Sequence, residues 1–362
     1  MAGLSRALPC LLVLLFSRTD CGTVTTKSGD VVGGSAQFEG LYRNGSYHSF
    51  RGIPYAQAPV GSLRFRDPVP VTAWDQPLDA SGELDNSQAT SCLQPSYFDP
   101  SAEIGSVVGS EDCLFLNVFT ETLPKQSSSL DLKPVFFWIH GGGFSIGSGE
   151  MLGQQPDLLL EAGMVVVTIN YRLGALGFFA LEGTEISGNQ GLKDQLMALR
   201  WVKQNIANFG GDPARITIGG ESAGGVSVHS HVLSPLGKDE DLFHAAISFS
   251  GTMLMGMEDI LNKAPESSKH FYEEVCQVTS EDVELESSCL YSLPASEIME
   301  KTSGHFKIEA LPIRERMEST DYYYFFWPTV DYWAEEALMP TNPITILHNQ
   351  QQKMVPFMSG SY

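Results

Sequence analysis

Gly220-Glu221-Ser222-Ala223-Gly224 follows the strand-like stretch Arg215-Ile216-Thr217-Ile218-Gly219 and leads into helix-compatible residues as far as Leu233. This is the G-x-S-x-G pattern in the context that gives it meaning, a sharp turn from strand to helix. The backbone is strained at such a turn and larger side chains would crowd it, so glycines bracket the serine. Ser222 is expected to project its hydroxyl clear of the sheet. The helix that begins here points its first amides at the same spot, so an oxyanion forming there meets donors and the positive end of a dipole. The Ala223 N–H is the first such donor. In a chain with 35 glycines the pentapeptide also arises by chance, and a second motif decides between the two readings.

That motif is His140-Gly141-Gly142-Gly143-Phe144, placed directly after the apolar run Pro134-Val135-Phe136-Phe137-Trp138-Ile139. A buried strand that ends in three glycines offers bare backbone amides at its terminus. Gly142 and Gly143 are the candidate partners of Ala223 in an oxyanion hole. A glycine triplet by itself is only a flexible loop. With an apolar strand before it and G-x-S-x-G later in the chain, the two motifs form one device, the pattern of an α/β-hydrolase.

The 362 residues suit one large α/β domain or two modest ones, and a hydrophobic content of 43% is ample for a core. With 43 acidic against 22 basic residues the formal charge is −21, which repels nucleic acid and anionic membrane surfaces. Residues 1–21 carry Arg6, an apolar run over residues 8–16 and then Thr19 and Cys21, the layout of a secretory signal peptide. No other stretch approaches the roughly 20 apolar residues that a spanning helix requires. A secreted or lumenal protein without a membrane span is expected.

Removing residues 1–21 leaves Cys92, Cys113, Cys276 and Cys289. Four cysteines allow three connectivities; pairing Cys92 with Cys113 and Cys276 with Cys289 closes two compact loops and leaves no free thiol. An oxidising compartment disfavours the alternative of four reduced thiols. Asn44-Gly45-Ser46 is a sequon in a turn-like setting, a candidate glycosylation site.

Residues 23–65 read as short alternating segments broken at Gly33-Gly34 and Asn44-Gly45, which suits antiparallel hairpins. Residues 133–139 and 164–169 are continuous apolar runs, as for strands covered on both faces. Between them and Ser222, Leu192, Leu196, Leu199, Val202 and Ile206 recur at helical spacing in one stripe. Gly210, Gly211 and Pro213 end that helix. Residues 245–249 supply another strand, while residues 287–300 and on to 324 are less regular. Alternating strands and helices predict a mostly parallel, doubly wound sheet with helices on both faces.

Through these residues the chain resembles the type B carboxylesterase and cholinesterase family from about residue 25 to its end. The resemblance is carried by residues 50–65 with Trp74, by Ser110-Glu111-Asp112-Cys113-Leu114-Phe115-Leu116-Asn117-Val118, and by residues 138–144. Asn170-Tyr171-Arg172, Gly188-Asn189-Gln190-Gly191 and the run from Gly210-Gly211-Asp212-Pro213 to Gly224 add to it. It implies hydrolysis of small-molecule carboxylic esters through an acyl-enzyme on Ser222, without cofactor or metal, and the same two disulfides. It also implies ion pairs of Arg51 with Glu111 and Arg172 with Asp194, both read as structural.

Cholinesterase-like members hold a quaternary ammonium on a tryptophan in the first disulfide loop. Here that loop contains only Tyr97 and Phe98, so a choline ester is not expected. The stretch Met354-Val355-Pro356-Phe357-Met358-Ser359-Gly360 is similar to the family strand before the loop bearing the triad acid. Acid and histidine are therefore expected beyond Tyr362, and residues 22–362 are expected to form an incomplete α/β-hydrolase domain, as a fragment or a short form.

The chain order serine, acid, histidine excludes His48 and His140 as the base. His229 and His231 lie about two turns along the helix behind Ser222, roughly 10 Å away. His244, His270, His305 and His348 match no motif and read as surface or packing residues. Glu221 either adds negative potential beside the serine or makes a structural hydrogen bond. Tyr322-Tyr323-Tyr324-Phe325-Phe326-Trp327 either lines the acyl side of a pocket or packs in the core. The rival function is a non-catalytic adhesion or ligand-sequestering member of the same fold. Oligomeric state is not legible.

Overall fold

The computed structural model describes residues 22–82, 91–96, 106–124, 131–150, 156–254, 257–278, 287–302 and 326–361. The expected signal segment, Tyr97, Phe98, His305 and residues 322–325 lie outside them. Twelve strands are described: β1 (Thr23–Thr26), β2 (Gly29–Glu39), β3 (Asn44–Pro54), β4 (Leu78–Ala80), β5 (Gln94–Pro95), β6 (Val107–Val108), β7 (Phe115–Thr120), β8 (Lys133–Ile139), β9 (Val165–Ile169), β10 (Gly211–Glu221), β11 (Ala245–Phe249) and β12 (Phe357–Gly360). The helices are α1 (Asp157–Glu161), α2 (Gly174–Phe178), α3 (Gln190–Asn205), α4 (Ala223–Leu233), α5 (Met257–Cys276), α6 (Ser288–Ser292), α7 (Ala295–Thr302) and α8 (Pro343–His348).

The main sheet runs β1-β2-β3-β7-β9-β8-β10-β11-β12, with β4 against β2. From β9 to β12 every pairing is parallel, whereas β1, β2, β3, β7 and β9 pair antiparallel. The α/β-hydrolase architecture expected from the motifs is present, with a larger antiparallel share than a doubly wound sheet implies. Strand alternation puts Val118 and Val167 into the main core and their neighbours Phe119 and Val166 into a second cluster with Leu160 of α1. Both faces of the sheet are therefore covered there.

β9 is buried at every position, as its unbroken apolar run predicts. β8 is not: Val135, Phe137 and Ile139 are buried, but Phe136 and Trp138 stay half-buried and stack on each other 6.0 Å apart. The α3 stripe is also broader than expected, because Gln190, Lys193, Asp194 and Gln195 are buried together with the leucines. Four further local readings change.

Gly33 and Gly34 are not a turn but the middle of β2. A side chain on Gly33 would strike the Phe50 ring at 2.5 Å, and one on Gly34 the Ser81 carbonyl oxygen at 2.7 Å, so close packing explains these glycines. The turn lies just beyond, before Asn44, where the Glu161 carboxylate accepts the amides of Leu41 (2.8 Å), Tyr42 (2.6 Å) and Arg43 (2.6 Å). A carboxylate from a distant helix thus shapes the hairpin.

Arg51 does not pair with Glu111. Glu111 is gripped by Arg64 at 2.6 and 2.8 Å, while Arg51 pairs with Glu150 and lies over the Phe119 ring. The register of β3 against β7 shifts between Phe50 and Ile53, which changes where Arg51 points. Arg64 follows a 3-10 turn at Gly61–Leu63 and also donates to the Leu293 carbonyl at 2.6 Å. The other expected pair, Arg172 with Asp194, forms with both side chains buried.

α5 is a 20-residue helix that the sequence does not announce. Pro265 within it lacks the amide that continues a helix, which interrupts the helical signal. Residues 287–302, read as irregular, hold α6 and α7. The last strand begins at Phe357 rather than at Met354, and is parallel to β11. Both disulfides, Cys92–Cys113 and Cys276–Cys289, are formed.

Candidate active site

β8 and β10 are parallel neighbours with Ile139 opposite Gly220. Their C-terminal ends therefore deliver the glycine loop and Ser222 side by side. A Cβ built on Gly141 would lie 3.2 Å from Ser222 Cβ, so the two motifs meet in space. Ser222 itself adopts φ 56° and ψ −120°, a sparsely populated conformation for a residue with a side chain, costing on the order of 1–3 kcal/mol. Three contacts hold it there. Its amide donates to the Phe249 carbonyl at 2.9 Å, its carbonyl accepts the Val226 amide at 2.9 Å, and Gly251 packs so closely that a Cβ there would lie 2.1 Å from Ser222 O.

The Ser222 hydroxyl caps no amide of α4, so it is not consumed by the helix it begins. The Ala223 N–H, in the first turn of α4, has no carbonyl one turn back to bond within the helix. In the glycine loop, Gly142 (φ 109°) and Gly143 (φ 61°) occupy backbone regions that favour glycine. Ser145 N and Ile146 N both donate to the Gly142 carbonyl at 3.1 Å, closing a tight turn. Because a peptide unit is planar and trans, a carbonyl held inside that turn directs the Gly143 N–H the opposite way. Among the described residues, neither the Gly142 nor the Gly143 amide hydrogen-bonds to an internal acceptor.

His140 is buried inside the loop. Its Nδ1 bonds the Gly141 carbonyl oxygen at 2.8 Å, its ring stacks on Tyr171 at 4.4 Å, and the Tyr171 hydroxyl donates to its carbonyl at 2.9 Å. Burial pushes its pKa down to about 4, so the ring is neutral at physiological pH. Asn170-Tyr171-Arg172 thus acts as a unit: Asn170 and Tyr171 hold the loop and Arg172 ties it to α3.

The remaining described histidines stand elsewhere, His48 within β3. His229 Nδ1 contacts Thr252 Oγ1 at 2.7 Å, and its ring stacks on Phe357. His231 Nε2 donates to Gln195 Oε1 at 2.9 Å, deep between α4 and α3. His244 accepts the Ile216 amide, His270 faces Glu266 and Glu273 on α5, and His348 ends α8. No described histidine hydrogen-bonds to Ser222. The Glu221 carboxylate flanks the glycine loop, with Oε2 3.0 Å from where a Gly141 Cβ would be. Phe326 is core, packed on Phe179 and Phe271, whereas Trp327 meets Phe144 edge-on at 5.4 Å beside the loop.

Gln94 escaped sequence reading. Its side-chain amide bonds the backbone of Gly147 across 53 residues of chain, and such a contact leaves no local pattern.

Comparison with known proteins agrees with this geometry. Esterase E4 of Myzus persicae is 37% identical over 348 residues, 96% of this chain and 56% of that protein. Liver carboxylesterase 1 of Oryctolagus cuniculus is 37% identical over 341 residues, 93% of this chain and 57% of that protein. The chain thus spans a little over half the length of these relatives. The crystal structure of juvenile hormone esterase from Manduca sexta with OTFP covalently attached superposes with a TM-score of 0.74 at 30% identity, covering 93% of this chain and 59% of that one. Among the described residues, no helix is long and apolar enough to cross a membrane. A sequence profile of the carboxylesterase family matches residues 20–362, and the chain belongs to that family.

Proposed function

We propose that this protein hydrolyses small-molecule carboxylic esters with Ser222 as nucleophile. The observation that carries it is the strained Ser222 backbone at the junction of β10 and α4, facing the glycine loop. Ser222 Oγ attacks the ester carbonyl carbon while a general base takes its proton. The carbonyl oxygen becomes an oxyanion held by the amides of Gly142, Gly143 and Ala223. Collapse expels the alcohol, which takes up the proton, and leaves an acyl-Ser222. Water activated by the same base then attacks the acyl carbon and frees Ser222. None of the described histidines hydrogen-bonds to Ser222, and the base is assigned to none of them. Trp327, beside Phe144, borders the acyl side of the site.

A binding-only member of the family has no use for a serine held at φ 56°, so the strain favours catalysis over adhesion or sequestration. The signal-like segment and the disulfides support a secreted or lumenal location. Aryl esters are expected to be turned over faster than choline esters, because the first disulfide loop carries no tryptophan. The test is a fluorophosphonate probe on the full-length protein. Labelling is expected at Ser222 and lost in Ser222→Ala; labelling that survives the substitution overturns the assignment.

A further inference from the structure

We propose that Gln94 and Asn170 are positioning residues that couple the Cys92–Cys113 disulfide to the glycine loop and so aim its oxyanion-binding amides. The proposal deepens the hydrolase reading above and rests on it. Gln94 is buried and follows Cys92 by two positions. Its side-chain amide makes a two-point lock on one residue: Oε1 accepts the Gly147 amide at 2.7 Å, and Nε2 donates to the Gly147 carbonyl at 2.9 Å. Nε2 also donates to the Cys92 carbonyl at 2.9 Å. Asn170 repeats the arrangement from the other half of the disulfide. Its Oδ1 accepts the Gly149 amide at 2.8 Å, and its Nδ2 donates to the Cys113 carbonyl at 3.1 Å.

The result is a closed ring of contacts. It runs from Cys92 through Gln94 to Gly147, along the backbone to Gly149, through Asn170 to Cys113, and back across the disulfide. Gly147 sits at φ 117° with its Cα against the motif: a Cβ there would lie 2.3 Å from His140 Nδ1 and 2.7 Å from Gly141 O. One residue earlier, Ile146 N closes the turn onto Gly142 O, the carbonyl whose peptide plane sets the direction of the Gly143 N–H. Fixing Gly147 and Gly149 therefore fixes the far end of that turn. Glycines have no side chains to hold them, and a loop containing three in succession needs its orientation imposed from outside. Two neutral, buried amides do this without adding charge beside the oxyanion.

The experiment uses the full-length protein with the near-isosteric variants Gln94→Glu and Asn170→Asp, and Gln94→Ala as a second probe. Rates are normalised to sites titrated by fluorophosphonate. A misplacement of about 1 Å costs roughly 100-fold in rate, so kcat on p-nitrophenyl acetate is expected to fall about 10- to 100-fold. KM should stay within about twofold, and affinity for a trifluoromethyl ketone, which forms the same oxyanion, should fall in step with kcat. Amide hydrogen exchange should quicken over residues 142–149 while α4 keeps its protection.

A kcat per titrated site within twofold of the parent, or unchanged exchange in the loop, overturns the proposal. So does a loss of activity that merely follows the loss of folded protein. If the parent neither labels at Ser222 nor turns over esters, the hydrolase reading fails, and loop exchange decides the clamp by itself.

Discussion

A Cβ added to Gly220 would stand 2.4 Å from the carbonyl carbon of Gly224, so the two glycines of the pentapeptide touch backbone to backbone across Ser222. Neither has a positive φ; the strained residue is the serine between them. The glycines serve to bring the end of β10 and the first turn of α4 close enough to impose that strain.

Gly224→Ala is accordingly expected to be severe. The new methyl would lie 2.1 Å from the Ile139 carbonyl oxygen, a backbone atom that cannot rotate away. Overpacking costs typically about 1–3 kcal/mol, and the upper end is expected here. Urea unfolding should show that loss together with weaker fluorophosphonate labelling of Ser222. Unchanged stability and labelling would show that α4 is not seated on β8 as described.

Stability should fall as pH is lowered from 7 to 5. His140, His229 and His231 each have a pKa pushed by burial from 6.5 to about 4. In that window the unfolded chain takes up protons that the folded chain refuses, so acid favours unfolding. One such histidine contributes roughly 2 kcal/mol of the loss by pH 5. His231 illustrates the cause: Nε2 is used on Gln195, and Nδ1 is buried without a partner, so a second proton would have no acceptor. His231→Leu, compared with the parent by urea denaturation at both pH values, should show a shallower dependence. An identical slope would refute the assignment.

Arg64 and Arg51 should differ sharply. Arg64 is nearly buried, holds Glu111 through two hydrogen bonds and reaches the Leu293 carbonyl, so Arg64→Ala leaves a partly buried carboxylate without its partner. Breaking a buried pair costs about 3–5 kcal/mol. Arg51 and Glu150 keep about a quarter of their side-chain surface exposed, and Arg51→Ala is expected to cost about 1 kcal/mol or less. Chemical denaturation of the two variants distinguishes them; equal losses would contradict the pairing described here.

Asn44 is exposed at the first residue of β3, beside the turn clamped by Glu161. Protein made through a secretory pathway should lose mass on treatment with an N-glycosidase, and Asn44→Gln should match the digested form. Equal masses before and after digestion would leave the sequon unused.

The sequence by itself determined the strand-turn-helix at Ser222, the glycine loop after β8 and the runs that become β8, β9 and β11. Each is a local pattern, set by glycine geometry or by how many consecutive positions must be apolar. Local pattern could not reveal what depends on distant atoms. It misread Gly33-Gly34 as a turn because the Phe50 ring that requires those glycines comes from another strand. The family resemblance implied a pair of Arg51 with Glu111, and the register shift of β3 against β7 beside Arg51 is invisible from β3 alone. It passed over Gln94, whose hydrogen bonds reach Gly147. Only the tertiary structure brings Gly141 against Ser222, and the reason is topological: parallel pairing of β8 with β10 ends both strands on the same side of the sheet.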